Sequence, residues 1–305
     1  MKKKLLILAL AMALCSGCAS INTAENDSGA SQAEPETADS AAANGSVTEP
    51  ASGTLPADTD DTAEEAVEIT LNGSEVNIPE GAEGVSADGT KITVTAPGRY
   101  YFTGKLDDGQ IIVSATKEDK VELYLDGAEI DCLASAPIRI ESADGCTLHL
   151  VEGSTNVLKD GTANEFSACI SAKDDLTIKG KGKLFVYGST KHGIKSSNDL
   201  RIKNGVLEIS AVKTGIYAED KVEITGGNIT VTACKDGIKA TDDVDPTAGT
   251  VTIEEADIDI QNAQGNGIEA AISVTVTSGS VKIHSIKQAV NCATQSIADG
   301  CVSVY

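Results

Sequence analysis

Three residues stand one repeat apart and carry side chains that could act together. Lys195, Tyr217 and Lys239 follow one another at intervals of 22 residues, each directly after an isoleucine in a recurring word. The words are His192-Gly193-Ile194-Lys195-Ser196, Thr214-Gly215-Ile216-Tyr217-Ala218 and Asp236-Gly237-Ile238-Lys239-Ala240. An ammonium group on either side of a phenol suits a sugar ring stacked on the aromatic face, with sugar carboxylates reaching the amines. Against this stands the commoner fate of exposed lysines, a solvated face of mixed residues.

A second set lies four and five residues after the same isoleucines. It reads Asp174-Asp175, Asn198-Asp199, Asp220-Lys221 and Asp242-Asp243, with Asp245 close behind. Carboxylates stacked at one edge repel unless a cation sits among them. Calcium takes roughly six to eight oxygens at about 2.3–2.6 Å, which acids on successive repeats and turn carbonyls can supply. Asp242, Asp243 and Asp245, with Asp220 from the preceding repeat, are therefore the candidate calcium ligands. Asp and Asn favour turns on their own account, but that explains single residues better than doubled acids recurring repeat after repeat.

Both sets need a scaffold that superposes the repeats. The word returns as Asn266-Gly267-Ile268-Glu269-Ala270 and more weakly as Gln288-Ala289-Val290-Asn291-Cys292. The interval from Ile238 to Ile268 is 30, so one repeat carries an eight-residue insertion, and Ile268 to Val290 is 22 again. A fixed period in this range marks a solenoid. Within a repeat, apolar residues alternate in three short runs, as in Ile216/Ala218, Val222/Ile224 and Ile229/Val231. Alternation with β-branched residues on the inward side is the strand pattern, and turn residues such as Asn204-Gly205 and Gly226-Gly227 separate the runs. The expected fold is all-β: a single-stranded parallel β-helix of about eight coils, three strands per coil, with coils about 4.8 Å apart. Leucine-rich repeats share the length but require a leucine and asparagine pattern that this chain lacks.

In such a helix the residue after each isoleucine points outward, since neighbours in a strand face opposite sides. The outward column then reads Arg139, Ser171, Lys195, Tyr217, Lys239, Glu269, Asn291. Earlier in the chain, Glu68 to Ile78 alternates and is expected to begin the first coil. Val121 to Leu125 and Ala128 to Ile130 read as two runs, and Ile297 reads as out of register in the last coil.

The chain opens with Met1-Lys2-Lys3-Lys4 and an apolar run from Leu5 to Leu14, too short to span a membrane, ending in Cys15-Ser16-Gly17-Cys18. This resembles a bacterial lipobox and predicts a lipoprotein signal peptide over 1–17, with Cys18 lipidated and the protein held at the extracellular face of the cell membrane. Residues 18–66 are Ala, Ser, Thr, Glu, Asp and Pro with few large apolar residues, the composition of a disordered acidic tether. Residues 67–305 form the β-helix domain. A net charge of −22 excludes a general nucleic-acid role. Of eight cysteines, two lie in the signal region and the rest show no CxxC spacing. They read as free thiols, with Cys146 and Cys292 as small core residues, and not as a zinc site.

The succession Lys173-Asp174-Asp175-Leu176, His192-Gly193-Ile194-Lys195, Thr225-Gly226-Gly227 and Asp236-Gly237-Ile238-Lys239-Ala240-Thr241-Asp242-Asp243 resembles one family. It is that of secreted bacterial carbohydrate-binding proteins built on a polysaccharide-lyase-like right-handed parallel β-helix, first described in cellulose-degrading clostridia. The likeness runs from about Ile92 to Cys292. It implies a right-handed coil, association with calcium, and non-catalytic binding of acidic plant polysaccharide such as polygalacturonate, and of cellulose.

The rival readings belong to other classes. A polysaccharide lyase on this fold would use calcium to acidify the proton beside a uronate carboxylate and a Lys or Arg to remove it. Lys195 and Lys239 would serve that as well as they serve binding. A hydrolase needs two carboxylates around a sugar-sized gap, and the acids here crowd into turns. His149, His192 and His284 have no matching nucleophile, so no catalytic residue is assigned. A structural stalk or adhesin is the third reading. The absence of tryptophan weakens a sugar platform somewhat.

Overall fold

The computed structural model describes residues 66–242 and 244–305. The expected signal peptide, the lipidated Cys18 and almost all of the tether lie outside the described residues, as does Asp243. Among the described residues every regular element is a strand, the first beginning at Val67. The strands wind as a parallel β-helix with three faces around one core.

The first face stacks Lys91–Val94, Gln110–Ser114, Ile138–Ser142, Ala168–Ala172, His192–Ser196, Thr214–Ala218, Asp236–Ala240, Ile268–Ala270 and Val290–Asn291. Its sheet has ten strands, of which Val85–Asp88 pairs antiparallel with Lys91–Val94, leaving nine parallel coils, one more than the repeat suggested. The second face follows in each coil, as in Asp199–Ile202, Lys221–Ile224 and Thr250–Ile253, and the third as in Val206–Ala211, Asn228–Ala233 and Ala256–Ala263.

The repeat isoleucines hold this arrangement. Ile92, Ile111, Ile138, Ile170, Ile194, Ile216, Ile238 and Ile268 pair in unbroken succession down the first face. Each is 0% exposed. Burying one isoleucine contributes about 1.5–3 kcal/mol, and the constant period brings each against its copies. The glycine before each of Ile194, Ile216, Ile238 and Ile268 has its own cause. A Cβ on Gly215 would lie 2.2 Å from Val231 Cγ1, and one on Gly237 would lie 2.4 Å from Ile260 Cγ2. Without a side chain at this position the first face closes onto the third face of the same coil.

Three details differ from the sequence expectation. Val67–Gly73 turns back at Gly73 (φ 65) to pair antiparallel with Glu75–Asn77, so the alternating run over 68–78 is a hairpin and not one strand. The two runs at 121–125 and 128–130 are one strand, Lys120–Cys132, which bends at Gly127 (φ 71) and so serves two faces. Ile297 is in register, opposite Val276. The six described cysteines are free. Cys132, Cys146 and Cys169 are buried, Cys292 and Cys301 pack half-buried against the core, and Cys234 is exposed.

Ile216→Ala should cost about 2–5 kcal/mol of stability, because the neighbouring coils cannot collapse into the space. Ile216→Asp should leave no cooperative thermal transition, since a buried carboxylate there has no partner. A soluble Ile216→Asp protein that melts like the parent would refute this register.

Candidate functional site

The outward column is assembled as the repeat requires. Arg139, Ser171, Lys195, Tyr217, Lys239, Glu269 and Asn291 pair in order down the first face. Lys195 Nζ lies 5.6 Å from the centre of the Tyr217 ring, within cation–π range. The Tyr217 hydroxyl donates to the Thr241 carbonyl at 3.0 Å, which fixes the ring's tilt. Lys195, Tyr217 and Lys239 are therefore side by side.

The two amines are also engaged within the protein. Lys195 Nζ is 2.9 Å from Glu219 Oε1, and Lys239 Nζ is 2.6 Å from Glu269 Oε1. Asn266 holds the other Glu269 oxygen at 2.6 Å. Higher on the same face, Arg139 pairs with Glu141 at 2.7 Å and lies 4.0 Å over the Phe166 ring. An acidic ligand meeting this face must share its lysines with Glu219 and Glu269.

Under Tyr217 lies His192, stacked ring on ring at 4.9 Å. Its residue is 7% exposed, and Nδ1 has no hydrogen-bond partner among the described residues. Burial pulls the imidazole pKa down to about 3, helped by the positive charges of Lys213, Lys195, Lys191 and Lys239. His192 is neutral at any ordinary pH and serves as a flat, uncharged support for the tyrosine.

The face has two unlike edges. At the end of its strands runs the acidic turn column, and the structure splits it in two. Asp174 takes the Lys117 ammonium and accepts from the Ala143 amide. Asp175 pairs with Arg201 at 2.8 Å, and Arg201 also reaches Asp199. Asp220, Asp242 and Asp245 have no ion pair among the described residues. The Asp220 carboxyl is raised above its usual range by burial and then by the charges of Asp199, Asp242, Asp245 and Glu219. Two of these acids face their own loop: Asp242 Oδ1 accepts from Val244 N at 2.6 Å, and Asp245 Oδ1 from Thr247 N at 2.7 Å. Among the described residues no three His, Cys, Asp or Glu side chains already converge on one point. The donor chemistry suits a hard cation, and closing it around one would require the inserted loop to turn its oxygens inward.

The opposite edge carries a feature that the sequence reasoning passed over. Three residues before Ile194, Ile216, Ile238, Ile268 and Val290 stand Lys191, Lys213, Lys235, Gly265 and Lys287. Backbone bonds lock them into a row: Lys213 N to Lys191 O at 2.7 Å, Lys235 N to Lys213 O at 2.9 Å, Gly265 N to Lys235 O at 2.7 Å, and Lys287 N to Gly265 O at 3.1 Å. All four lysines are exposed. Lys191, Lys213 and Lys287 have no ion pair among the described residues, and Lys235 lies 3.7 Å from Asp236. The Lys213 amine is pushed below its usual range by partial burial and by Lys235, Lys191 and Lys239. The signal was in the sequence, since the period that aligns the isoleucines aligns these lysines too.

The family described as carbohydrate-binding domain-containing protein matches residues 88–303. The chain belongs to it. A protein of that description from Acetivibrio thermocellus is 39% identical over 151 residues, 47% of this chain and 52% of the relative. The chain thus spans about half the length of the curated relative it matches. A solved structure described as a polysaccharide lyase-like protein from C. thermocellum, gadolinium derivative, superposes with a TM-score of 0.76 at 36% identity. That match covers 79% of this chain and all of the solved one. The family expected from the repeat words and the β-helix expected from the period are both borne out.

The depressed His192 pKa has a consequence for this member of the carbohydrate-binding family. The unfolded chain takes up a proton near pH 6.5 and the folded one only near about 3. Stability from this group is complete above pH 6.5 and is lost as the pH falls toward 3, at about 1.4 kcal/mol per unit at most. Denaturant titrations across that window should show the slope, and His192→Gln should flatten it. An unchanged slope in the variant would place the acid sensitivity elsewhere.

Proposed function

We propose that this chain is a non-catalytic binding module for acidic polysaccharide, polyuronates such as polygalacturonate first, with calcium assisting. The observation that carries the proposal is the in-register Lys195–Tyr217–Lys239 row on a fold whose family is carbohydrate-binding. The tyrosine, backed by His192, offers a ring for the sugar, and the amines offer charge to its carboxylates. Cellulose is the neutral ligand to compare. The lipid on Cys18 and the segment 18–66 would hold the domain at the extracellular face of the cell membrane, a reading supported by the Lys-rich start, the apolar run and the cysteine that ends it.

Asp220, Asp242, Asp243 and Asp245 would hold the calcium, supported by the burial and, after it, the mutual repulsion that lift the Asp220 carboxyl. The solved relative described as a gadolinium derivative is consistent with this, since gadolinium is likewise a hard, oxygen-seeking cation. A bound calcium supplies charge neutralisation of these acids and of a nearby uronate. Calcium should raise the melting temperature, by about 2.7 kcal/mol of stability at a hundredfold excess over its Kd. Asp220→Asn with Asp242→Asn should abolish that gain and, in chelator, melt higher than the parent because the repulsion is gone. A parent whose melting ignores both calcium and chelator has no such site.

Lyase activity is the second reading, favoured by the depressed pKa of Lys213, which a proton-abstracting amine needs. Binding should be visible by calorimetry on de-esterified polygalacturonate and weaken with salt. Tyr217→Ala should lose a salt-insensitive part of about 0.5–1.5 kcal/mol. Incubation with the polymer should yield no ultraviolet-absorbing unsaturated sugar. If that product forms and vanishes in Lys213→Ala, the protein is a lyase.

A further inference from the structure

We infer that the corner row Lys191, Lys213, Lys235 and Lys287, more than the face lysines, takes the carboxylates of an acidic sugar chain laid along the stacking axis of the helix. The inference rests on the polyuronate reading above and assigns it a place, a direction and a length.

Availability of charge comes first. Lys195 and Lys239 are held by Glu219 and Glu269, and Arg139 by Glu141. Lys191, Lys213 and Lys287 have no carboxylate within ion-pair distance among the described residues, and the one beside Lys235 belongs to Asp236, 1% exposed. In a chain of net charge −22 an uncompensated basic row is an exception, and attraction of a polyanion must be local to it.

Spacing is the second observation. The backbone bonds that join the row step by step place one lysine per coil, about 4.8 Å apart, along the axis. That interval is comparable to one sugar of an extended chain, so successive carboxylates can meet successive amines. Gly265 leaves one step of the row without a side chain.

The third observation concerns what lies beside the lysines. Each of the first three is followed by a buried polar residue, His192, Thr214 and Asp236, at 7%, 0% and 1% exposure, and these three pair in register. His192 Nδ1, Thr214 Oγ1 and Asp236 Oδ2 all lack a hydrogen-bond partner among the described residues. One unsatisfied buried polar atom is tolerable; three in one row, directly beside the exposed lysines, are a local conflict that stability alone does not explain, and Asp236 Oδ2 has only the Lys235 amine nearby, at 3.7 Å. On the other side of the lysines, Val212 is 51% and Ile286 77% exposed, apolar surface of the kind that the C–H faces of a sugar cover.

The experiment is calorimetric binding of de-esterified oligogalacturonides of increasing length, at low and high salt, to the full chain and its variants. Lys191→Gln, Lys213→Gln and Lys235→Gln combined should weaken binding about tenfold or more. The log–log salt slope should become shallower by roughly two, at about 0.7 per lost charge contact. Lys195→Gln with Lys239→Gln should lose less and keep most of the slope. Affinity should rise with oligomer length until the chain spans the row and then level off. All three ladder positions are exposed, and circular dichroism should confirm that the variants fold. If the ladder variant binds like the parent, or if the face pair carries the slope, the inference is overturned while polyuronate binding stands. If the parent binds no polyuronate, the inference and the functional reading both fall.

Discussion

Hydrogen bonds between consecutive coils force every residue to lie against its counterpart one period away. This constraint rewards some rows and penalises others. A row of isoleucine gains with each added coil, as the fully buried series from Ile92 to Ile268 does. A row of one charge loses with each coil, because like charges face each other at the spacing of strands. On the second face the chain answers by alternating sign and by stacking rings. Arg99 meets Glu122 at 3.1 Å, Lys221 meets Glu223 at 2.6 Å, and Arg201 bridges Asp175, Asp199 and Glu223. Tyr124 stacks on His149 at 4.0 Å in the same manner.

Against that background the two corners flanking the first face are the anomalies. One keeps lysine after lysine, the other keeps Asp220, Asp242 and Asp245 without an ion pair among the described residues, and each shifts a pKa within itself in the direction of repulsion. A sequence under selection for stability alone has simple remedies, since one Glu among the lysines or one Lys among the acids would suffice. Retained local conflict in an otherwise consistent fold is where function is expected. The two conflicts are opposite in sign and lie on either side of one face. On the reading proposed above, a polymer of carboxylates would relieve the first and a divalent cation the second.

Most of the fold was legible because a solenoid repeats its evidence. Ile194, Ile216 and Ile238 state the register three times, and the alternation around them states the strand period. The parts that were not legible have no copies. The opening hairpin depends on a positive φ at Gly73, and the long strand Lys120–Cys132 depends on a bend at Gly127, neither visible as periodicity. Within the site the column from Arg139 to Asn291 was readable for the same reason as the core. What pattern could not show was pairing: Glu219 reaches Lys195 from another row, and Glu269, the next member of the same column, closes on Lys239. The ladder of Lys191, Lys213 and Lys235 was readable but lay before the motif and not within it. His192 looked like an isolated histidine until the fold placed it beneath Tyr217.

The position of the main insertion in the regular block follows from the same constraint. Eight extra residues within a strand would slip every later row, and the ladder would lose its spacing. Seven of the eight are placed at the acidic corner, where Gly249 N and Thr250 N both return to the Asp220 carbonyl, at 2.7 and 3.1 Å, and Val222 then meets Val251 in register. The eighth is absorbed as a bulge between Ile260 and Ala263, before Gly265 N returns to the Lys235 carbonyl. A cation site can be elaborated at the acidic corner, because a metal asks only that oxygens converge and does not care how the chain arrived. The basic corner takes no more than that single-residue bulge. On the polyuronate reading proposed above its ligand is itself periodic, so recognition would depend on the step from coil to coil, which a loop inserted between Lys213 and Lys235 would destroy.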